Sequence, residues 1–162
     1  MHTPRRGKTE TISKLPSNLI IDLEQGAEFV ECTKLDVIDI IRKNKSNPLV
    51  VIQELGKKLD NYYNEHGKYP YDYLTVDTTS ALEEFARKYA TIMYKATPIG
   101  KSFAGTDVVS ELPSGGGYDW LRKAFDELLK PIENRCNKCF ILVSHVKNSS
   151  INKQGKDLQA KD

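Results

Sequence analysis

Gly7-Lys8-Thr9 is the triplet in this chain with the most evident chemistry. It matches the last three positions of a phosphate loop, G-x-x-x-x-G-K-[ST]. In that motif glycine lets backbone N–H groups converge on phosphates, lysine neutralises their charge, and the hydroxyl ligates Mg²⁺. Counting back five positions from Gly7 puts His2 where the first glycine belongs, so the upstream half of the pattern is missing. A triplet this short recurs by composition alone, and its weight depends on the residues downstream of it.

Three apolar runs lie downstream, each ending in a group that suits the same chemistry. "NLIID" at 18–22 leads into Glu24, and a carboxylate at the carboxyl end of a strand can polarise an attacking water. The competing reading is an exposed acidic strand end. "YDYLTVD" at 71–77 closes on Asp77 and then on hydroxyls. This is the form of an acid that holds Mg²⁺ through water, although aspartate there also serves as a helix cap. "CFILVS" at 139–144 is followed by His145, placed to hydrogen-bond a γ-phosphate from a strand tip or simply to be solvated. His2 and His66 have no comparable setting. Cys136-x-x-Cys139 is half of a zinc pattern with no second pair, and Cys139 opens an apolar run, which favours a buried strand cysteine over a metal ligand.

The elements that must carry these groups are legible from spacing. The three runs are short, rich in β-branched or aromatic residues and without clean alternation, as in a parallel sheet covered on both faces. Between them, Leu35, Ile38 and Ile41, then Val50, Val51, Leu55, Leu59 and Tyr62, recur at three and four, with a break near Pro48. The same spacing returns in Leu82, Phe85, Ala86, Tyr89, Ile92 and Met93, with cap candidates at 78–80. It returns again in Trp120, Leu121, Ala124, Phe125 and Leu128 after the glycines at 115–117. Alternating strands and helices predict a three-layer α/β domain with a mostly parallel sheet. Two segments fall outside the pattern: residues 96–117, a long loop with five Gly and two Pro, and residues 147–162, a polar tail with four Lys expected to be mobile.

With 162 residues, 39% hydrophobic and 28% charged, the chain suits one domain able to bury about two-thirds of its unfolded surface. A net charge of +2 says little about partners. No run approaches the ~20 apolar residues of a membrane helix and no signal segment opens the chain, so no membrane is expected. Three cysteines, an odd count, point to reduced thiols and a cytoplasmic location.

Taken whole, the chain resembles the phage-encoded RecA-like ATPases, also described as AAA-type P-loop ATPases or phage nucleotide-binding proteins. The likeness rests on "GKT", "LPSNLIIDLEQGAEFVE", "YLTVDTTSALEEFARKYATIMYKATPIGKSF", "LPSGGGYDWLRKAF" and "ILVSHVKNSSINKQGKDLQAKD", in order over residues 7–162. It implies a RecA-like P-loop NTPase core that uses ATP and Mg²⁺. Gly7, Lys8 and Thr9 then resemble the end of Walker A, with Thr9 and Asp77 at the metal. Asp77 resembles the Walker B acid, Glu24 the catalytic glutamate and His145 the residue that senses the γ-phosphate. The resemblance also implies contact of loops 96–117 and 147–162 with single-stranded DNA, with Lys101, Lys147, Lys153 and Lys156 as candidate contacts, and work in recombination or strand annealing. It implies a homo-oligomer and, for a phage-encoded protein, the cytoplasm of a bacterial host. The departures are "MHTPRR" in place of a strand and glycine lead-in, and a stop at "LQAKD" where the family continues. They predict a single partial domain over 1–162 with its first strand missing and impaired turnover; the alternative is a non-catalytic nucleotide- or DNA-binding module or a remnant.

Overall fold

The structure, a computed structural model, describes residues 7–26, 30–105, 112, 116–145, 150–153 and 156–159, the last two segments as backbone only. The first element is a short helix, α1 (Gly7–Ser13), which turns through Pro16 into β1 (Asn18–Asp22). Every residue of β1 is buried, as its unbroken apolar run requires.

A short strand, β2 (Lys34–Asp36), runs directly into α2 (Val37–Asn44). Leu35 therefore lies on a strand, although its spacing to Ile38 and Ile41 reads as helical. Three residues are too few to set a period, and Asp36 closes the strand by capping α2, its carboxylate accepting the Asp39 N–H at 2.8 Å.

The remaining helices fall where their spacing places them. α3 (Pro48–His66) starts with the Asn47 side chain accepting the Val50 N–H and Pro at its first position, and it ends at Gly67 with φ +70. β3 (Tyr73–Asp77) feeds α4 (Thr79–Lys95), capped by Thr78. α5 (Gly117–Leu129) precedes β4 (Cys139–Val143).

The four strands β2-β1-β3-β4 form one all-parallel sheet. Its register sets Asp22 opposite Asp77 and Asp77 opposite Val143, so the carboxyl ends of three strands lie in line. Coverage of the two faces is unequal. Ile21, Leu74 and Val76 face a core built with α2, α3, α4 and α5, whereas Ile20 and Val143 meet Ile12 of α1 on the other face. The all-parallel sheet and the five α-helices among the described residues are consistent with a RecA-like or AAA core.

Two expectations change at the edges. β4 is the outer strand rather than a fully buried one: Cys139 is exposed and Leu142 keeps 45% of its surface, because nothing pairs with its far side among the described residues. The stretch before α1, where the first strand is expected to be missing, lies outside the described residues. In the stretch 96–117 a 3₁₀ turn at Gly100–Ser102 is present and α5 already begins at Gly117; 106–111 and 113–115 lie outside the described residues. In the polar tail, β5 (Ser150–Lys153) and β6 (Lys156–Gln159) pair antiparallel, which composition gave no reason to expect.

α3 also supplies a sign-reversal test. Alanine normally stabilises a helix interior over glycine by about 1 kcal/mol. At Gly56, however, a Cβ would come within 2.1 Å of the Pro131 carbonyl oxygen, a backbone atom that cannot swing aside. Gly56→Ala should therefore destabilise by roughly 1–3 kcal/mol, lowering the unfolding midpoint in a thermal melt. A raised midpoint would contradict this close approach of α3 to the turn after α5.

Candidate functional site

The carboxyl ends of β1, β3 and β4, with the first turn of α1, carry one continuous ring of contacts. The Thr9 hydroxyl donates to Asp77 Oδ2 at 2.7 Å. Asp77 is followed by Thr78, whose hydroxyl donates to Glu24 Oε1 at 2.6 Å. The other oxygen of Glu24, Oε2, lies 3.3 Å from His145 Nε2. Next to His145, the Ser144 carbonyl accepts from the Lys8 ammonium, and Lys8 adjoins Thr9 to close the circuit. Lys8, Thr9, Glu24, Asp77 and His145, spread over 138 positions of the chain, thus meet at one rim of the sheet.

Local structure explains each placement. Asp22, 1% exposed, accepts the Glu24 N–H at 3.0 Å and the Gly26 N–H at 3.1 Å on one carboxylate oxygen. That aspartate turn stops β1 and projects Glu24 beyond the strand end. Asp77 is the last residue of β3 and is 4% exposed. Burial pushes its carboxyl above the usual 3.8, reinforced by the negative charges of Asp22 and Glu24 and opposed by the Thr9 hydrogen bond and His145. Gly7 opens α1, and a Cβ there would meet nothing within 4 Å, so packing does not demand the glycine.

These groups are hard oxygen donors beside a lysine. Among the described residues no cluster of three His, Cys, Asp or Glu could cage a metal ion. Mg²⁺ does not need one: it is commonly held by one or two carboxylates together with substrate phosphates and water. The Thr9 hydroxyl and the Asp77 carboxylate in mutual contact fit that requirement.

A family model described as an AAA domain matches residues 3–161. The chain belongs to that AAA-domain family. No curated protein and no solved structure matches it. Membership in the AAA family carries an ATPase-type, nucleotide-binding function, and AAA ATPases generally use ATP with Mg²⁺. Among the described residues, no helix of this AAA domain is long and apolar enough to cross a membrane.

Of the DNA candidates, Lys101 is exposed in the 3₁₀ turn and takes part in none of the ring's hydrogen bonds. Lys147 lies outside the described residues, and only the backbone is described at Lys153 and Lys156. Two residues have roles the sequence did not reveal: Thr78, in the ring, has the spacing of a cap candidate only, and Asp22, beside Glu24 at the strand end, forms a turn that its likeness to any acidic strand end conceals. An aspartate two residues before a Glu and four before Gly26 is the signal that could have revealed that turn.

The raised Asp77 carboxyl has a measurable consequence. A group that holds its proton more tightly in the folded state contributes stability that is complete below its unfolded value of 3.8 and is lost as pH rises through its folded value. At neutral pH the ionised Asp77 therefore costs stability. Asp77→Asn removes that charge and still offers Thr9 an acceptor. In the absence of Mg²⁺ it should melt a few degrees Celsius higher than wild type at pH 7, with the difference shrinking toward pH 4. Asp72, lowered by its hydrogen bond from Lys138, runs in the opposite sense but is common to both proteins and cancels from the difference. Equal midpoints at pH 7 would show that the buried charge carries no such cost.

Proposed function

We propose that this AAA domain binds and hydrolyses ATP with Mg²⁺ at the rim formed by Gly7, Lys8, Thr9, Glu24, Asp77 and His145. The observation that carries the reading is the ring itself: five groups of complementary chemistry, from four separated places in the chain, are linked at the carboxyl edge of a parallel sheet, where α/β sheets place their ligands.

Within this reading Gly7 gives the backbone room to approach phosphate and Lys8 leaves the Ser144 carbonyl to offset phosphate charge. Thr9 and Asp77 are the residues that would hold the metal. Bound Mg²⁺ would neutralise charge on the β- and γ-phosphates and orient them. Glu24 accepts a proton from the water whose oxygen attacks the γ-phosphorus, as the bond to the bridging oxygen breaks and ADP leaves. His145, on the other oxygen of Glu24, reports the state of the γ-phosphate to the segment after β4.

The deciding experiment is ATP binding and phosphate release by the chain with and without Mg²⁺. Mg²⁺-dependent release supports the enzyme. Binding without release would replace it with a non-catalytic nucleotide-binding module, the outcome that the missing upstream glycine favours. The proposal extends to phage-type recombination or annealing, in which a homo-oligomer handles single-stranded DNA. Its support is the resemblance of the segments 96–117 and 147–162 together with the exposed Lys101. An affinity for oligonucleotide that stays flat between low and moderate salt would remove phosphate-driven DNA contact.

A further inference from the structure

Glu24 sits on a turn beyond the end of β1, and a carboxylate on an exposed turn ordinarily samples several rotamers. Here its backbone is fixed by Asp22, yet that fixes only the point from which the side chain departs. The group that fixes the carboxylate itself is Thr78, 54 residues away in sequence and 3% exposed.

Thr78 is the N-cap of α4, and its hydroxyl oxygen accepts the Ala81 N–H at 3.3 Å. A threonine hydroxyl has one proton and two lone pairs. With a lone pair turned toward Ala81, the single proton is left for Glu24 Oε1, 2.6 Å away, and an ionised carboxylate can only accept it. The β-branched side chain is stiff about χ1, so the cap locks the hydroxyl and the hydroxyl locks the carboxylate. Oε1 is thereby tied to Thr78, and Oε2 is the oxygen that faces His145.

We propose that Thr78 is a positioning residue for Glu24: the hydroxyl that caps α4 orients the Glu24 carboxylate so that Oε2 is the oxygen presented to the attacking water. This rests on Glu24 being the base in the proposed ATPase. It makes the start of α4, rather than β1 alone, the part of the fold that aims the base.

The test compares wild type with Thr78→Ser, Thr78→Asp and Thr78→Val, assaying ATP turnover at saturating Mg²⁺ and confirming folding by thermal melts. Serine keeps both hydrogen bonds. Aspartate keeps the cap, since it ranks at least as high as threonine there, but has no proton to give Glu24 and sets a second negative charge against it, so it is the most damaging of the three. Valine keeps the shape and loses both. The expected result is a kcat lowered about tenfold or more in Thr78→Asp and Thr78→Val, KM for ATP within about threefold of wild type, and near-wild-type turnover in Thr78→Ser. In a Glu24→Gln background, Thr78→Val should cause little further loss, because the group it positions is already gone.

A purely structural role for Thr78 predicts instead that the kcat loss in Thr78→Val tracks its loss of melting midpoint, and that the losses in the double variant add. Either result overturns the proposal while leaving Glu24 as the base. Wild-type protein that releases no phosphate from ATP overturns the underlying ATPase reading as well, and Glu24→Gln with wild-type turnover removes the base from both.

Discussion

Glu24→Gln should lower Mg²⁺-dependent ATP turnover by about 10²–10⁴-fold, the range contributed by a positioned general base, while ATP affinity stays within about threefold of wild type. The substitution is close to isosteric. The amide oxygen can still accept the Thr78 proton, and the Glu24 N–H still reaches Asp22. What disappears is the capacity to take a proton from water. The Glu24 side chain is 37% exposed, so a change of one atom there leaves the core untouched. Single-turnover phosphate release separates this chemical defect from a change in product release. A rate equal to that of wild type would remove Glu24 from catalysis.

Lys8→Ala should act on the other side of the same event, weakening ATP binding about 10–100-fold and lowering turnover at least as far. The ammonium is the cation of the ring that the phosphate-loop pattern assigns to phosphate, and it is held beside His145 by the Ser144 carbonyl. Lys8 is exposed, so its loss should shift folding stability by no more than about 0.5 kcal/mol. Equilibrium titration with ATP reads the affinity, and a thermal melt without nucleotide checks the fold. Undiminished affinity would mean that the Gly7-Lys8-Thr9 triplet is not a phosphate site. Together the two variants make a pattern: binding fails at Lys8, chemistry fails at Glu24, and neither change unfolds the protein.

Much of the frame was legible because the signals are local. The β1 run, with its Ile20-Ile21 pair, reads as a buried strand, and every residue of it is buried. The helices with spaced apolar residues, α3 after the break near Pro48 and α4 with its cap candidate Thr78, lie where those signals put them. β2 escaped because three residues between longer elements have no period of their own. β4 was misread as fully buried because apolarity does not distinguish a central strand from an outer one. That depends on what lies beside it, and Leu142 remains 45% exposed.

The sequence by itself determined the order of the chemistry: a lysine and hydroxyl opening a helix, then an acid, an acid and a histidine, each just past an apolar run. Periodicity and capping act over a few residues, so neighbouring chemistry and neighbouring structure can be read together. The tertiary structure alone decided that these groups meet. Strand order and register bring Asp22, Asp77 and Val143 into line, and only then does the hydroxyl of Thr78 reach Glu24 and the ammonium of Lys8 reach the Ser144 carbonyl, 136 residues on. Parallel strands are joined through crossover helices, and which strands become neighbours is settled by the burial of whole faces rather than by any short stretch of chain.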